Sequence, residues 1–237
     1  LRKKKNAMLK KIFLISRACF ILSGCGPTTT KTSSAPQPPV PKSIYKTFDA
    51  GRKKKKKITV DEKRRITSAD ILSWAFQPND PNTMYIGTVA DGIFRTRDGA
   101  EHWEKLTFPP ERVYGIAVDP TNPDRIFATG VYEKVAKVYR TEDGGANWKE
   151  VYVEPGPGTV ISSFVMHPSN PQILYAATDK GVVIKSIDGG EQWKNVYEAD
   201  GPVTKVLVGS KVPESVTLLV FQKGIIFSGD GGTTWTD

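Results

Sequence analysis

From residue 71 onward, short apolar runs alternate with breaks rich in Pro, Asn, Asp and Gly, the pattern of successive strands and turns. The runs at 71–76 (ILSWAF), 113–118 (VYGIAV), 161–166 (ISSFVM) and 203–208 (VTKVLV) carry apolar residues on both faces, as strands buried on two sides do. One face keeps Ser73, Gly115 and Ser163, with Ala75 and Ala117 also small, so neighbouring layers can approach closely there. The first three runs lead into proline-containing breaks at 79–82 (NDPN), 119–123 (DPTNP) and 167–171 (HPSNP), where proline is expected to end pairing and form a loop. Second strands are expected at 84–88, 126–129 and 174–178, which are β-branched and aromatic, and third strands at 92–95 and 224–227.

The segment after each third strand repeats. Residues 96–103 (TRDGAEHW), 141–148 (TEDGGANW), 186–193 (SIDGGEQW) and 228–235 (SGDGGTTW) are one phrase written four times. Its aspartates, Asp98, Asp143, Asp188 and Asp230, are 45, 45 and 42 residues apart, a period suited to one four-stranded unit or a helical hairpin. The strand pattern selects the former. Side chains of Thr96, Thr141, Ser186, Ser228 and the aspartates can cap backbone N–H groups, and glycine accepts the positive φ of a tight hairpin. Trp103, Trp148, Trp193 and Trp235 then return to cover the sheet, so these residues are expected to pack rather than to bind a ligand.

This phrase resembles the Asp-box, or BNR repeat, of sialidase-like, sortilin-like and xyloglucanase-type β-propellers and of the propeller-shaped photosystem II assembly factor. The resemblance covers most of residues 44–237 and implies that the box lies at the blade periphery, between third and fourth strands, away from the central site. Only Ala100 departs from the second glycine. An eroded fifth copy at 44–51 (IYKTFDAG) aligns Thr47 and Asp49 with Thr96 and Asp98 and puts Lys54 at the tryptophan position. The fold expected is therefore an all-β propeller of four-stranded antiparallel blades. It is partial: three full blades near 71–107, 113–153 and 159–199, a two-stranded N-terminal half blade, and a last blade whose fourth strand is nearly missing. Either the N-terminal half blade completes a small ring of four or five blades, or the chain is a truncated member of a family with six to eight; the stop just after Trp235 favours the latter.

Composition changes this picture only at the N-terminus. The formal charge is +9, yet residues 67–237 hold 15 basic and 22 acidic side chains, and an acidic body repels phosphate backbones, so nucleic acid is not an expected partner. Residues 1–24 combine seven Lys/Arg with an apolar run interrupted by Arg17, which reads as an export signal too short to span a bilayer. Residues 22–25 (LSGC) resemble the lipobox of bacterial lipoproteins, which implies lipidation of Cys25 and anchoring in the bacterial envelope, on the outer side of the cytoplasmic membrane or in the outer membrane. Cys19 and Cys25 are the only cysteines, so no disulfide is expected in the mature domain. Residues 25–41, rich in Pro, Thr and Ser, read as a tether reaching roughly 50 Å, and 42–237 as the propeller. The lysines of 52–57 (RKKKKK) are read as charges on an exposed strand edge rather than as a lipid-docking patch.

Candidate chemistry is sparse. The phrase aspartates are assigned to turns, and no inner strand carries a carboxylate pair such as glycoside hydrolysis needs. The resemblance to sialidases would imply an Arg-Ile-Pro segment, but Arg125 is followed by Ile126 and Phe127. His102 and His167 lack partners at metal-ligand spacing and are expected to be solvated loop residues. A Ca²⁺ site at Asp80 with Asn79 and Asn82 is less favoured than a polar turn. No metal and no cofactor is expected. The reading is a non-catalytic, envelope-anchored propeller that binds a protein or glycan through its blade loops, foremost the connection 131–137 (VYEKVAK). The alternative is a glycoside hydrolase of sialidase or xyloglucanase type whose catalytic residues are missing or unrecognised.

Overall fold

The computed structural model describes residues 45–47, 49–53, 55–56, 70–210 and 215–237. The expected export signal, Cys25, the tether and Lys54 lie outside the described residues. Among the described residues seventeen strands form five antiparallel sheets and no helix occurs.

β1 (Tyr45–Lys46) and β2 (Lys55–Lys56) make a two-stranded sheet. Three four-stranded sheets come next in chain order: β3 (Ile71–Gln77), β4 (Asp80–Thr88), β5 (Ile93–Thr96) and β6 (Glu104–Lys105); β7 (Arg112–Val118), β8 (Ile126–Tyr132), β9 (Val135–Thr141) and β10 (Lys149–Pro157); then β11 (Ile161–Met166), β12 (Leu174–Thr178), β13 (Val182–Ser186) and β14 (Lys194–Glu198). The last sheet has β15 (Val203–Val208), β16 (Val216–Val220) and β17 (Gly224–Ser228). Where a fourth strand would lie, a single bridge joins Phe227 to Thr236. Each sheet is a meander whose neighbours in sequence are neighbours in space, the architecture of propeller blades.

The inner strands β3, β7, β11 and β15 stand side by side, and the core lies between blades rather than within one. Ile116 and Val118 of blade two pack with Tyr85, Ile93 and Leu106 of blade one. Phe164 and Met166 of blade three pack with Phe127 and Val138 of blade two, and Val206 of blade four packs with Tyr175 and Val183 of blade three. Each fully buried aliphatic side chain contributes about 1.5–3 kcal/mol, so every layer needs the blade before it. Small residues on the opposite face set the spacing. The Ser73 hydroxyl donates to the Val113 carbonyl at 3.0 Å, and the Val206 N–H donates to Ser163 Oγ at 3.0 Å. A Cβ at Gly115 would stand 2.8 Å from Phe164 Cβ, so glycine is required there for contact.

Two expected loops are strands instead. Asp80 already belongs to β4, and Pro81 is accommodated in an irregularity where pairing jumps from Phe76↔Met84 to Gln77↔Asp80; Asn79 turns the corner at φ 65°. Residues 131–137 are likewise no long connection, because Tyr132 pairs with Val135 and only Glu133 and Lys134 turn, at φ 51° and 68°. In blades one and three a hydroxyl ends the second strand, with Thr88 Oγ1 accepting from Asp91 N and Thr178 Oγ1 from Val182 N. Blade two has Gly130 at that position, against which Pro110 packs so closely that a Cβ would meet it at 2.6 Å. Without the hydroxyl the hairpin runs on.

Candidate functional site: the phrase turns and the opposite end of the ring

Each phrase closes a hairpin by its own side chains. The Thr96 hydroxyl donates to Asp98 Oδ1 at 2.9 Å and accepts from Ala100 N at 2.9 Å, while Asp98 Oδ1 accepts from His102 N at 2.9 Å. The same three bonds tie Thr141, Asp143, Gly145 and Asn147, Ser186, Asp188, Gly190 and Gln192, and Ser228, Asp230, Gly232 and Thr234. They recur at Thr47, Asp49, Gly51 and Lys53, so the eroded copy keeps the geometry without a tryptophan. Both residues after each aspartate have positive φ, from Gly99 and Ala100 at 69° and 72° to Gly231 and Gly232 at 70° and 92°, which is why glycine fills all but Ala50 and Ala100.

These carboxylates are held ionised by their turns. Partial burial pushes Asp98 up, but the His102 backbone N–H, the His102 ring and the Thr96 hydroxyl outweigh it and bring the group to about 2. Hydrogen bonds from Thr141 and from Asn147 hold Asp143 well below the usual carboxylate range, and bonds from Thr234 do the same for Asp230. The Lys53 backbone N–H lowers Asp49, and the Gln192 N–H lowers Asp188. A general acid needs the opposite shift.

Three of the four tryptophans reach backward to the preceding blade, and Trp103 packs within its own. Trp148 meets Phe108 at 4.8 Å between ring centroids, Trp193 meets Tyr152 at 5.7 Å, and Trp235 meets Tyr197 at 4.9 Å and donates its indole N–H to the Val196 carbonyl. Trp103 is buried with Ile86, Phe94 and Ala100. A second link runs the other way, because in blades one to three the cation before the hydroxyl residue donates to the next blade's phrase: Arg95 to the Gly144 carbonyl at 2.6 Å, Arg140 to Gly189 at 2.9 Å and Lys185 to Gly231 at 2.8 Å. Sequence reasoning missed these cations, although they recur at a fixed offset from the phrase.

The remaining candidate residues are also engaged. His102 Nδ1 lies 2.7 Å from Asp98 Oδ2. His167 is not a solvated loop residue but is buried, and its Nδ1 accepts from Ser169 N and Asn170 N, as Asp119 Oδ1 does from Thr121 N and Asn122 N one blade earlier. Asp80 accepts from Asn82 N and the Thr83 hydroxyl. Arg125 pairs with Asp119 and Glu142. Among the described residues no group of three His, Cys, Asp or Glu side chains converges on a metal position.

The phrase turns share one end of the ring with the turns between first and second strands, since Gly99, Gly144 and Gly189 donate to the carbonyls of Asn82, Asp124 and Gln172. The other end is more open. There the β8–β9 hairpin stands out with Tyr132, Glu133 and Lys134 exposed, and the long β10 follows β9 to its tip, pairing Pro157 with Val135. A cleft of about 450 Å³ lies on one side, bounded by Arg112, Tyr114, Lys134 and Thr159. Another of about 360 Å³ lies on the other, bounded by Val89, Glu111, Arg112, Tyr132 and Glu133. Arg112 borders both, with its guanidinium Nε 3.4 Å from the Val89 carbonyl.

No family model and no curated protein matches the chain. Solved structures do. An ancestral GH74 enzyme superposes with a TM-score of 0.61 at 23% identity over 70% of this chain and 23% of its own. YCF48 from Cyanidioschyzon merolae gives 0.51 at 18% identity over 71% of this chain and 55% of its own. A chain of a nidogen/laminin complex gives 0.58 at 14% identity over 76% and 66%. The chain spans less than a third of the length of the GH74 enzymes it resembles, including the xyloglucanase from Xanthomonas campestris. At these identities the likeness carries the fold, and that fold is a β-propeller built of four-stranded antiparallel blades.

Proposed function

We propose that this chain is a non-catalytic propeller lipoprotein of the bacterial envelope, anchored through Cys25 and a 25–41 tether, whose 42–237 propeller binds a protein partner at the end bearing the β8–β9 hairpin. In this reading the phrases are Asp-box turns that join blades. One observation carries it: among the described residues the inner strands Ile71–Gln77, Arg112–Val118, Ile161–Met166 and Val203–Val208 contain no aspartate or glutamate, so these four strands offer no pair of carboxylates for glycosyl transfer. The exposed end supports a protein more than a glycan, because Arg112, Glu111, Glu133 and Lys134 place both signs of charge around Tyr132, a composition suited to a polypeptide surface. Likeness to enzymes and to a member of a protein complex adds only fold analogy.

A photo-crosslinker at position 132 is expected to capture a discrete envelope protein in cells, and the same group at Ile187, exposed at the phrase end, is not. The purified chain is expected to leave xyloglucan and a panel of aryl glycosides intact, and Cys25→Ala to release it from membranes. Turnover of any of these glycosides, abolished by replacing one carboxylate, would establish the hydrolase reading instead.

A further inference from the structure

Positions that depart from the blade repeat gather on one side of the β8–β9 hairpin. By register, the place of Arg112 is held by Val160 and Pro202 in the next two blades, and the place of Tyr114 by Ser162 and Thr204. Thr159 stands where the blade before has Glu111 and the blade after has Gly201. Ser162 donates its hydroxyl to the Ala177 and Val203 carbonyls, and Thr204 to the Leu219 carbonyl at 2.9 Å. Tyr114 makes no counterpart of these bonds among the described residues. Features common to all blades are accounted for by stacking; Arg112, Tyr114 and Thr159 are not, and with Lys134 they border the cleft of about 450 Å³. Its walls come from blade two and the chain entering blade three, so they do not depend on the ends of the sequence.

The positive charge of this cleft is unanswered. Four of the five arginines in residues 70–237, Arg95, Arg97, Arg125 and Arg140, pair with carboxylates. Among the described residues Arg112 meets only the Val89 carbonyl, through Nε at 3.4 Å, which uses one of the donors of its fork. Lys134 is fixed at φ 68° in the hairpin turn, and its carbonyl accepts from Gly158 N at 3.1 Å. Its ammonium group has no ion pair among the described residues, and among them no carboxylate borders the cleft. Thr159 is only 9% exposed, yet its hydroxyl has no hydrogen-bond partner among the described residues. A hydroxyl buried to that extent is normally bonded, so the cleft holds a donor without an acceptor beside two cations without an anion.

We infer that this cleft receives the side-chain carboxylate of an acidic residue in the partner polypeptide. Arg112 offers a planar fork to the two oxygens, Lys134 a second cation, and Thr159 a hydroxyl donor, while Val131 and Val160 pack against the methylenes that carry the group. A singly charged carboxylate fits better than a phosphate, because residues 67–237 hold 15 basic and 22 acidic side chains and each further negative charge on a ligand adds repulsion. The cleft across the hairpin is bordered by Glu111 and Glu133, so the partner's acid is steered to one side of Tyr132 and the direction of its segment is set. The inference rests on the reading that this end of the ring binds a protein, and adds which chemical group is held and where.

Titrating the isotopically labelled full chain with N-acetylglutamate N-methylamide tests this, since that probe has a side-chain carboxylate and no charged terminus. Saturable NMR shifts are expected at the amides of Gly158, Thr159 and Val160 and at the Arg112 Nε–H, with millimolar affinity. Affinity should fall about tenfold or more with Arg112→Gln and by a smaller factor with the isosteric Thr159→Val, and stay unchanged with Lys194→Gln, an exposed lysine next to a phrase. The corresponding glutamine compound is expected to leave these signals in place, and inorganic phosphate to bind more weakly. Arg112 is exposed and valine keeps the shape of threonine, so both variants keep the fold, which a thermal melt checks. Absence of saturable shifts overturns the inference. So does an equal response to the glutamine compound, tighter binding of phosphate, or affinity indifferent to Arg112→Gln and Thr159→Val. A crosslink at position 132 without this titration removes the carboxylate cleft alone, whereas titration without a crosslink removes the protein-binding reading on which it rests.

Discussion

At residue scale the chain contains two solutions to one problem. The turn after β7 is capped by Asp119, whose other oxygen pairs with Arg125 at 3.3 Å, and Arg125 continues to Glu142. After β11 the same positions hold His167, Ile173 and Ile187: an imidazole acceptor in place of the carboxylate, and aliphatic side chains in place of Arg125 and Glu142. Both accept two backbone N–H groups, so the acceptor geometry is common, and the side chain at the Arg125 position differs. A buried carboxylate is tolerated when paired and costly when alone. His167→Ala, which leaves two donors and a void, is expected to cost about 2 kcal/mol. His167→Asp alone is expected to cost as much, and His167→Asp with Ile173→Arg less than the sum, with a coupling of about 1–3 kcal/mol. Urea denaturation of the four proteins measures it; additive effects would show that the cap does not sense the cation.

At the scale of the element, the hairpin closed by each phrase was legible because all its determinants sit within eight residues. Hydroxyl, carboxylate and two glycines make their bonds to each other and leave little for distant groups to decide, which is also why the copy at Thr47 to Gly51 folds alike without its tryptophan. What depends on a neighbour was not legible. The tryptophans were expected to cover their own sheet, but Trp148 and Trp193 lie on Phe108 and Tyr152 of the blade before, and no local spacing announces a partner some forty residues away. The length of the β8–β9 hairpin was hidden for a related reason, since its turn residues Glu133 and Lys134 lack the Asn-Gly signature of a two-residue turn. The cation before the phrase is the element's outward link. Arg95 is buried, and it holds both Glu104 at 2.6 Å and the Gly144 carbonyl. Arg95→Ala is therefore expected to destabilise the chain by about 2–3 kcal/mol. Arg95→Lys should lose less, because Lys185 makes the corresponding carbonyl bond on its own. A change within about 0.5 kcal/mol for Arg95→Ala in urea titrations would show that the link adds nothing to stability.

For the whole molecule, a core divided into layers between blades makes stability a property of adjacency. Blades two and three are sandwiched, each burying one face on the blade before and one on the blade after. Blade one keeps Trp74 and Phe76 exposed behind, and blade four keeps Ile225 at 62% and Phe227 at 44% exposure in front. The positions matching Ile225, namely Ile93, Val138 and Val183, are fully buried. Where the earlier blades place Arg95, Arg140 and Lys185, the last has Phe227, so the cationic link stops there as well. An array with nearest-neighbour coupling opens from its ends, because opening an end unit breaks one interface and opening a middle unit breaks two. Amide exchange should therefore be slowest in β8 and β12, faster in β17, and fastest in β1 and β2, which add only a two-residue ladder. Mass spectrometry of exchanging peptides reads this gradient directly. Equal protection of β17 and β13 would mean that the four blades open as one cooperative unit, and that coupling extends beyond neighbouring layers.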